Sequence, residues 1–126
     1  MEDSDVYEAV GGEAGFARMV AAFYRQIPGD PILGPMYPAT DLAGAEQRLR
    51  DFLIFRFGGP ARYLETRGHP RLRMRHNPFA ITGAARDRWV ELMTRALGEA
   101  AFPPEPAAVL SEFFASTATF LLNRPS

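Results

Sequence analysis

Glycine and proline punctuate this chain at intervals of about one helix, and between them apolar side chains recur with a helical period. From Glu13 to Ile27, the residues Phe16, Met19, Val20, Phe23, Tyr24 and Ile27 share one face of a helix, which Pro28-Gly29-Asp30-Pro31 stops. A short helix is expected over Asp5 to Val10, halted by Gly11-Gly12, and no more than a turn or two from Ile32 to Tyr37, before Pro38. Asp41 is placed to cap a helix running to about Phe57, with Leu42, Ala45, Leu49, Phe52 and Leu53 inward, and Gly58-Gly59-Pro60 ends it. Thr82 is placed to cap another from Gly83 to about Ala100, inner face Trp89, Leu92, Met93, Ala96 and Leu97. Pro103-Pro104 separates that from a last helix, roughly Glu105 to Leu122, with Val109, Leu110, Phe113, Thr117, Phe120 and Leu121 inward. No useful length alternates with period two, and Val, Ile and Thr are sparse beside Ala and Leu. The expected class is therefore all-α: two long helix pairs and an irregular connector. Helices of this length crossing at wide angles leave a wedge that a flat ligand fills.

At 126 residues the chain suits a single domain over 1–126. Its net charge of −1 offers no electrostatic case for nucleic acid or an anionic membrane surface. No apolar run approaches the roughly 20 residues of a membrane span. The start, Met1-Glu2-Asp3-Ser4-Asp5, lacks the basic residues of a secretory signal, so a cytoplasmic location is expected. With no cysteine, disulfides, thiolate metal sites and covalent haem attachment are excluded. All fourteen basic residues are arginine, a bias expected equally from heat adaptation and from a GC-rich genome.

The stretch Gly68-His69-Pro70-Arg71-Leu72-Arg73-Met74-Arg75-His76-Asn77-Pro78-Phe79 carries both histidines of the chain. Arginines alternate there with apolar side chains, between prolines. A neutral imidazole held against an apolar slot suits a haem iron as fifth ligand, and guanidinium groups suit haem carboxylates. Taken alone, a histidine near arginines describes a surface residue equally well.

The whole pattern resembles the truncated haemoglobins, second group. The resemblance runs from Tyr7-Glu8-Ala9-Val10-Gly11-Gly12 through Phe23-Tyr24, Tyr37-Pro38 and Asp41-to-Leu49, then Gly58-Gly59-Pro60, the Gly68-to-Phe79 motif and Asp87-Arg88-Trp89. It implies a two-over-two α-helical sandwich enclosing haem b, with His76 as the proximal iron ligand and His69 outside the pocket. Tyr24, Tyr37 and Trp89 are implied on the distal side as hydrogen-bond donors to a bound ligand. Read from the residues alone, Tyr24 and Trp89 are equally well core residues on apolar helical faces. A buried phenol left without a partner nevertheless costs roughly 1–3 kcal/mol.

Ala45 falls where familiar globins place a distal histidine, so polar contacts must come from the tyrosines and the tryptophan. Arg48 resembles the family's propionate partner; Arg71, Arg73, Arg75 and Tyr63 are further candidates. Phe23, Leu49, Phe52, Leu72, Phe79 and Trp89 are expected to line the haem. The chain departs from its relatives at Phe55-Arg56-Phe57, where a Tyr-Trp type pair is expected, and at Pro28-Gly29, which interrupts the end of the helix carrying Tyr24.

The resemblance implies binding of O₂, CO and NO at ferrous haem, with high O₂ affinity and oxygen transport or delivery as the role. Detoxification of NO or peroxide is the alternative, and its turnover would need an external reductase, since no flavin or nicotinamide motif is present. Sensing and a haem-free helical interaction module are the remaining readings. The exposed face of the last helix is compatible with a homo-oligomer.

Overall fold

Among the described residues, the Gly/Pro interruptions at 11–12, 28–31 and 103–104 fall at or just beyond helix ends. The computed structural model describes residues 1–37, 39–58 and 81–122. Among these, five α-helices and one 3-10 turn follow in order: α1 (Asp3–Ala9), α2 (Gly12–Arg25), the 3-10 turn Gly34–Met36, α3 (Leu42–Arg56), α4 (Gly83–Ala100) and α5 (Pro104–Phe120). α2 packs against both α3 and α4, α4 against α5, and α1 rests on α2 and α5. The result is the all-α, two-over-two helical sandwich expected, with α2/α3 and α4/α5 as its pairs. No helix among the described residues is long and apolar enough to cross a membrane.

The α1–α2 corner depends on glycine. Gly11 has φ +91° and Gly12 φ +66°, a left-handed backbone that reverses the chain within two residues. At Gly15 the need is for space, because a Cβ there would stand 1.8 Å from the Val10 carbonyl oxygen. With the corner closed, the stripe Phe16, Met19, Val20, Phe23 and Tyr24 is wholly buried, and Ile27 is buried just beyond the helix end. α2 stops at Arg25, two residues before the expected end. The Gln26 side-chain Nε2 there donates to the Ala22 carbonyl (3.2 Å) and across to the Leu92 carbonyl of α4 (2.9 Å).

α4 begins as expected, with Thr82 Oγ1 accepting from the Ala85 amide at 3.1 Å. Arg86 then reaches the far end of α5, donating to Thr119 Oγ1 (3.1 Å) and the Ala115 carbonyl (3.2 Å), so the two helices run antiparallel. Leu92, Met93, Ala96 and Leu97 are buried as expected, while Trp89 is half-buried against the core.

Two expectations need correction. Asp41 occupies the N-cap position of α3 but makes no capping bond; its carboxylate lies over Gly44 and takes an ion pair from Arg48 at 3.2 Å. On α5 the buried row is Pro106, Leu110, Phe114 and Ala118. The expected Phe120 is 55% exposed, and Phe113 and Val109 sit at the edge of the core. The reason is that Phe114, not Phe113, meets Trp89, at 5.6 Å between ring centroids. Phe113 is turned onto Phe57 (5.1 Å) and carries the Arg56 guanidinium above its ring.

Candidate functional site

Phe23 and Tyr24 are consecutive on α2, yet both are buried, because this helix is covered by α3 on one side and α4 on the other. Phe23 is the hub of an aromatic cluster, with centroids 5.2 Å from Tyr24, 5.5 Å from Trp89 and 6.5 Å from Tyr37. Tyr24 and Tyr37 meet edge to face at 5.6 Å, with planes at 90°. Three hydrogen-bond donors, two phenols and one indole, thus come from α2, the turn before α3, and α4 into one neighbourhood.

Their polar ends are engaged. The Tyr24 hydroxyl donates to the Ala45 carbonyl on α3 at 3.2 Å. Tyr37 and Trp89 both pack against Phe23, and the indole, a donor only, acts on the Tyr37 phenol as a hydrogen-bond donor. Burial pushes the Tyr37 phenol up to about 12, partly offset by the Trp89 bond. Burial also raises Tyr24, well beyond the ordinary phenol range, reinforced by Tyr37 and opposed by Arg48. Both phenols therefore stay protonated at neutral pH and act as donors.

α3 forms the opposite wall. Ala45, Leu53 and Ile54 are buried, whereas Leu42, Leu49 and Phe52 are half-buried against the edge of the core. Leu49 and Phe52 lie on the face expected to be inward and pack, half-buried, against the core. A methyl group at Ala45 adds no bulk there, and its carbonyl receives Tyr24. Arg48 is exposed and pairs with Asp41. Among the described residues no cluster of His, Cys, Asp or Glu could by itself hold a metal ion. The two phenols, the indole and the half-buried Leu49 and Phe52 are chemically compatible with a haem and a small polar ligand held on it.

Of the expected site residues, the structure brings together Phe23, Tyr24, Tyr37, Ala45, Leu49, Phe52 and Trp89, with Arg48 at the exposed margin. His76, Tyr63, Leu72, Arg73, Arg75 and Phe79, together with His69 and Arg71, lie outside the described residues. Sequence reasoning overlooked Asp30 and Arg88. Asp30 is buried, and its carboxylate accepts from the Leu33 amide (2.8 Å), the Ile32 amide (3.1 Å) and Arg88 Nε (2.5 Å). An aspartate inside a Pro-Gly-Asp-Pro turn was the available signal, since such residues bind the amides two and three positions on.

The bacterial-like globin family matches residues 5–123. Group 2 truncated hemoglobin YjbI of Bacillus subtilis is 35% identical over 118 residues, covering 94% of this chain and 88% of its own length. A thermostable hemoglobin from the actinobacterium Thermobifida fusca superposes with a TM-score of 0.92 at 47% identity, over 96% of this chain and 98% of that one. The truncated oxygen-avid haemoglobin from Bacillus subtilis superposes with a TM-score of 0.88 at 35% identity, over 94% and 98% of the two chains. Fold, donor cluster and relatives agree on the class, a haem-binding globin of the bacterial type. Within that class the chain belongs to the truncated haemoglobins of the second group.

Proposed function

We propose that this protein binds O₂ and other diatomic ligands reversibly at haem b, with high O₂ affinity and slow release, in oxygen capture or delivery. Bound haem would supply the iron at which ligands exchange. His76 is the residue we assign to hold that iron, and Arg48, Arg73 and Arg75, with Tyr63, are those we assign to the haem carboxylates. Leu49, Phe52, Phe23, Leu72, Phe79 and Trp89 would enclose the ring.

The observation that carries the reading is the convergence of Tyr24, Tyr37 and Trp89 around Phe23. Rotation about the Tyr24 C–O bond moves its proton from the Ala45 carbonyl toward a ligand without moving the ring. Tyr37 stands edge to face with Tyr24, which brings its hydroxyl into the same neighbourhood. Desolvation by the surrounding rings strengthens both donors. The likeness to a relative described as oxygen-avid supports high affinity.

Stopped-flow O₂ release from the wild type, Tyr24→Phe and Trp89→Phe tests this. A donor bond worth about 1.5 kcal/mol corresponds to roughly tenfold in rate, so each substitution should speed release by about that factor. Release unchanged in both variants contradicts the distal assignment.

A further inference from the structure

Asp30 is the only buried charged residue among those described, and it lies outside the donor cluster. One of its carboxylate oxygens takes the amides of Ile32 and Leu33, and the other takes Arg88 Nε. Its own backbone carbonyl accepts from the Gly34 amide at 2.9 Å, so Asp30 organises the start of the turn Gly34–Met36 from two atoms at once. That turn ends at Tyr37, whose amide bonds the Gly34 carbonyl at 3.3 Å. On the other side, Arg88 immediately precedes Trp89 on α4 and is braced by Glu91 at 2.9 Å. A single ion pair, its Asp30 side buried and its Arg88 side half-buried, therefore links the segment that carries one donor to the helix residue adjoining the other.

We propose that Asp30 and Arg88 are positioning residues for ligand binding, a clamp that sets the Tyr37-bearing turn in register with α4 so that Tyr37 and Trp89 meet around Phe23. The proposal deepens the distal reading above and rests on it for its effect on ligand release. Removing Arg88 leaves the buried Asp30 carboxylate uncompensated, and Asp30→Asn sets an amide against the Arg88 guanidinium, so in either case the turn must shift. A shift of the turn moves Tyr37 away from Trp89 without altering either side chain. Gln26 still ties α2 to α4 through the Leu92 carbonyl, one turn further along, so the helices stay together while the turn moves.

Trp89 is the only tryptophan, so ¹⁵N labelling yields one indole N–H signal that reports its hydrogen bond directly. That signal is compared in the haem-loaded, diamagnetic carbon monoxide form of the wild type, Arg88→Met, Arg88→Lys and Asp30→Asn, alongside O₂ release and thermal stability. In Arg88→Met and Asp30→Asn the indole proton should move toward its solvent-exposed shift and exchange faster. O₂ release should accelerate about 3- to 10-fold, the span of one ordinary hydrogen bond. Arg88→Lys, which keeps the charge opposite Asp30, should recover much of the wild-type signal. Adding Arg88→Met to a variant that already carries both Tyr37→Phe and Trp89→Phe should change release no further.

If Arg88→Met and Asp30→Asn lower stability but leave both the indole signal and release unchanged, the clamp is merely structural and the proposal fails. Should Arg88→Met not fold, Asp30→Asn decides in the same way, because it preserves side-chain shape. A shifted indole signal with release indifferent even to Trp89→Phe would instead overturn the distal reading and leave the clamp standing.

Discussion

Asp30 shows how much one side chain is asked to do in a chain of this size. Its carboxyl is held below the ordinary aspartate value of 3.8, first by the Leu33 amide and then, against the cost of burial, by Arg88 and the Ile32 amide. The sign of the pH effect follows. A carboxyl with a lowered folded-state pKa contributes its full stability above its unfolded value, and loses it as pH falls through the folded one. The melting temperatures of wild type and Asp30→Asn should therefore differ at neutral pH and converge on acidification below pH 3.8. A gap that persists unchanged into that range contradicts the assignment. Residues of this kind were the least legible in the sequence. Asp30 and Arg88 are 58 positions apart, and only the fold brings them to 2.5 Å. Asp41 illustrates the same limit: its local role as a cap competed with an arginine seven positions on, and the arginine won.

At the scale of the helix, legibility followed the contrast between faces. The buried stripe of α2 was readable, though not the helix end, because it is one apolar face contacted by α3 and α4, with Arg18 and Arg25 bonding to the Ala100 carbonyl and to Glu99. α5 was not, because Val109, Leu110, Phe113, Phe114, Phe120, Leu121 and Leu122 surround it, and periodicity cannot choose among them. The choice is made by Trp89, which fits against Phe114. Phe114→Ala should consequently cost about 3–5 kcal/mol in chemical denaturation, the range for emptying a buried aromatic site, and Phe120→Ala less than half of that. Equal losses would mean that the buried row has been misplaced. α3 lies between these cases. Ala45 and Leu53 were readable as core, whereas Leu49 and Phe52, expected inward, remain half-buried against the core.

For the molecule as a whole, fold and chemistry come from the same few contacts. Packing α2 between α3 and α4 buries Phe23, and the rings gathered around Phe23 are the ones bearing the polar groups. The fold class was legible from helical period and Gly/Pro spacing. The donor cluster was legible only once the resemblance singled out Tyr24, Tyr37 and Trp89, since each looks like core on its own. The proposed iron ligand, His76, was read from its motif, and it is the assignment on which the account turns. The direct measurement is the iron–histidine stretching band in the resonance Raman spectrum of the ferrous protein. In wild type the band should be present; in His76→Ala it should vanish, with haem retention falling, and added imidazole should restore a band at an altered frequency. A His76→Ala protein that keeps the wild-type band at full intensity would contradict the account.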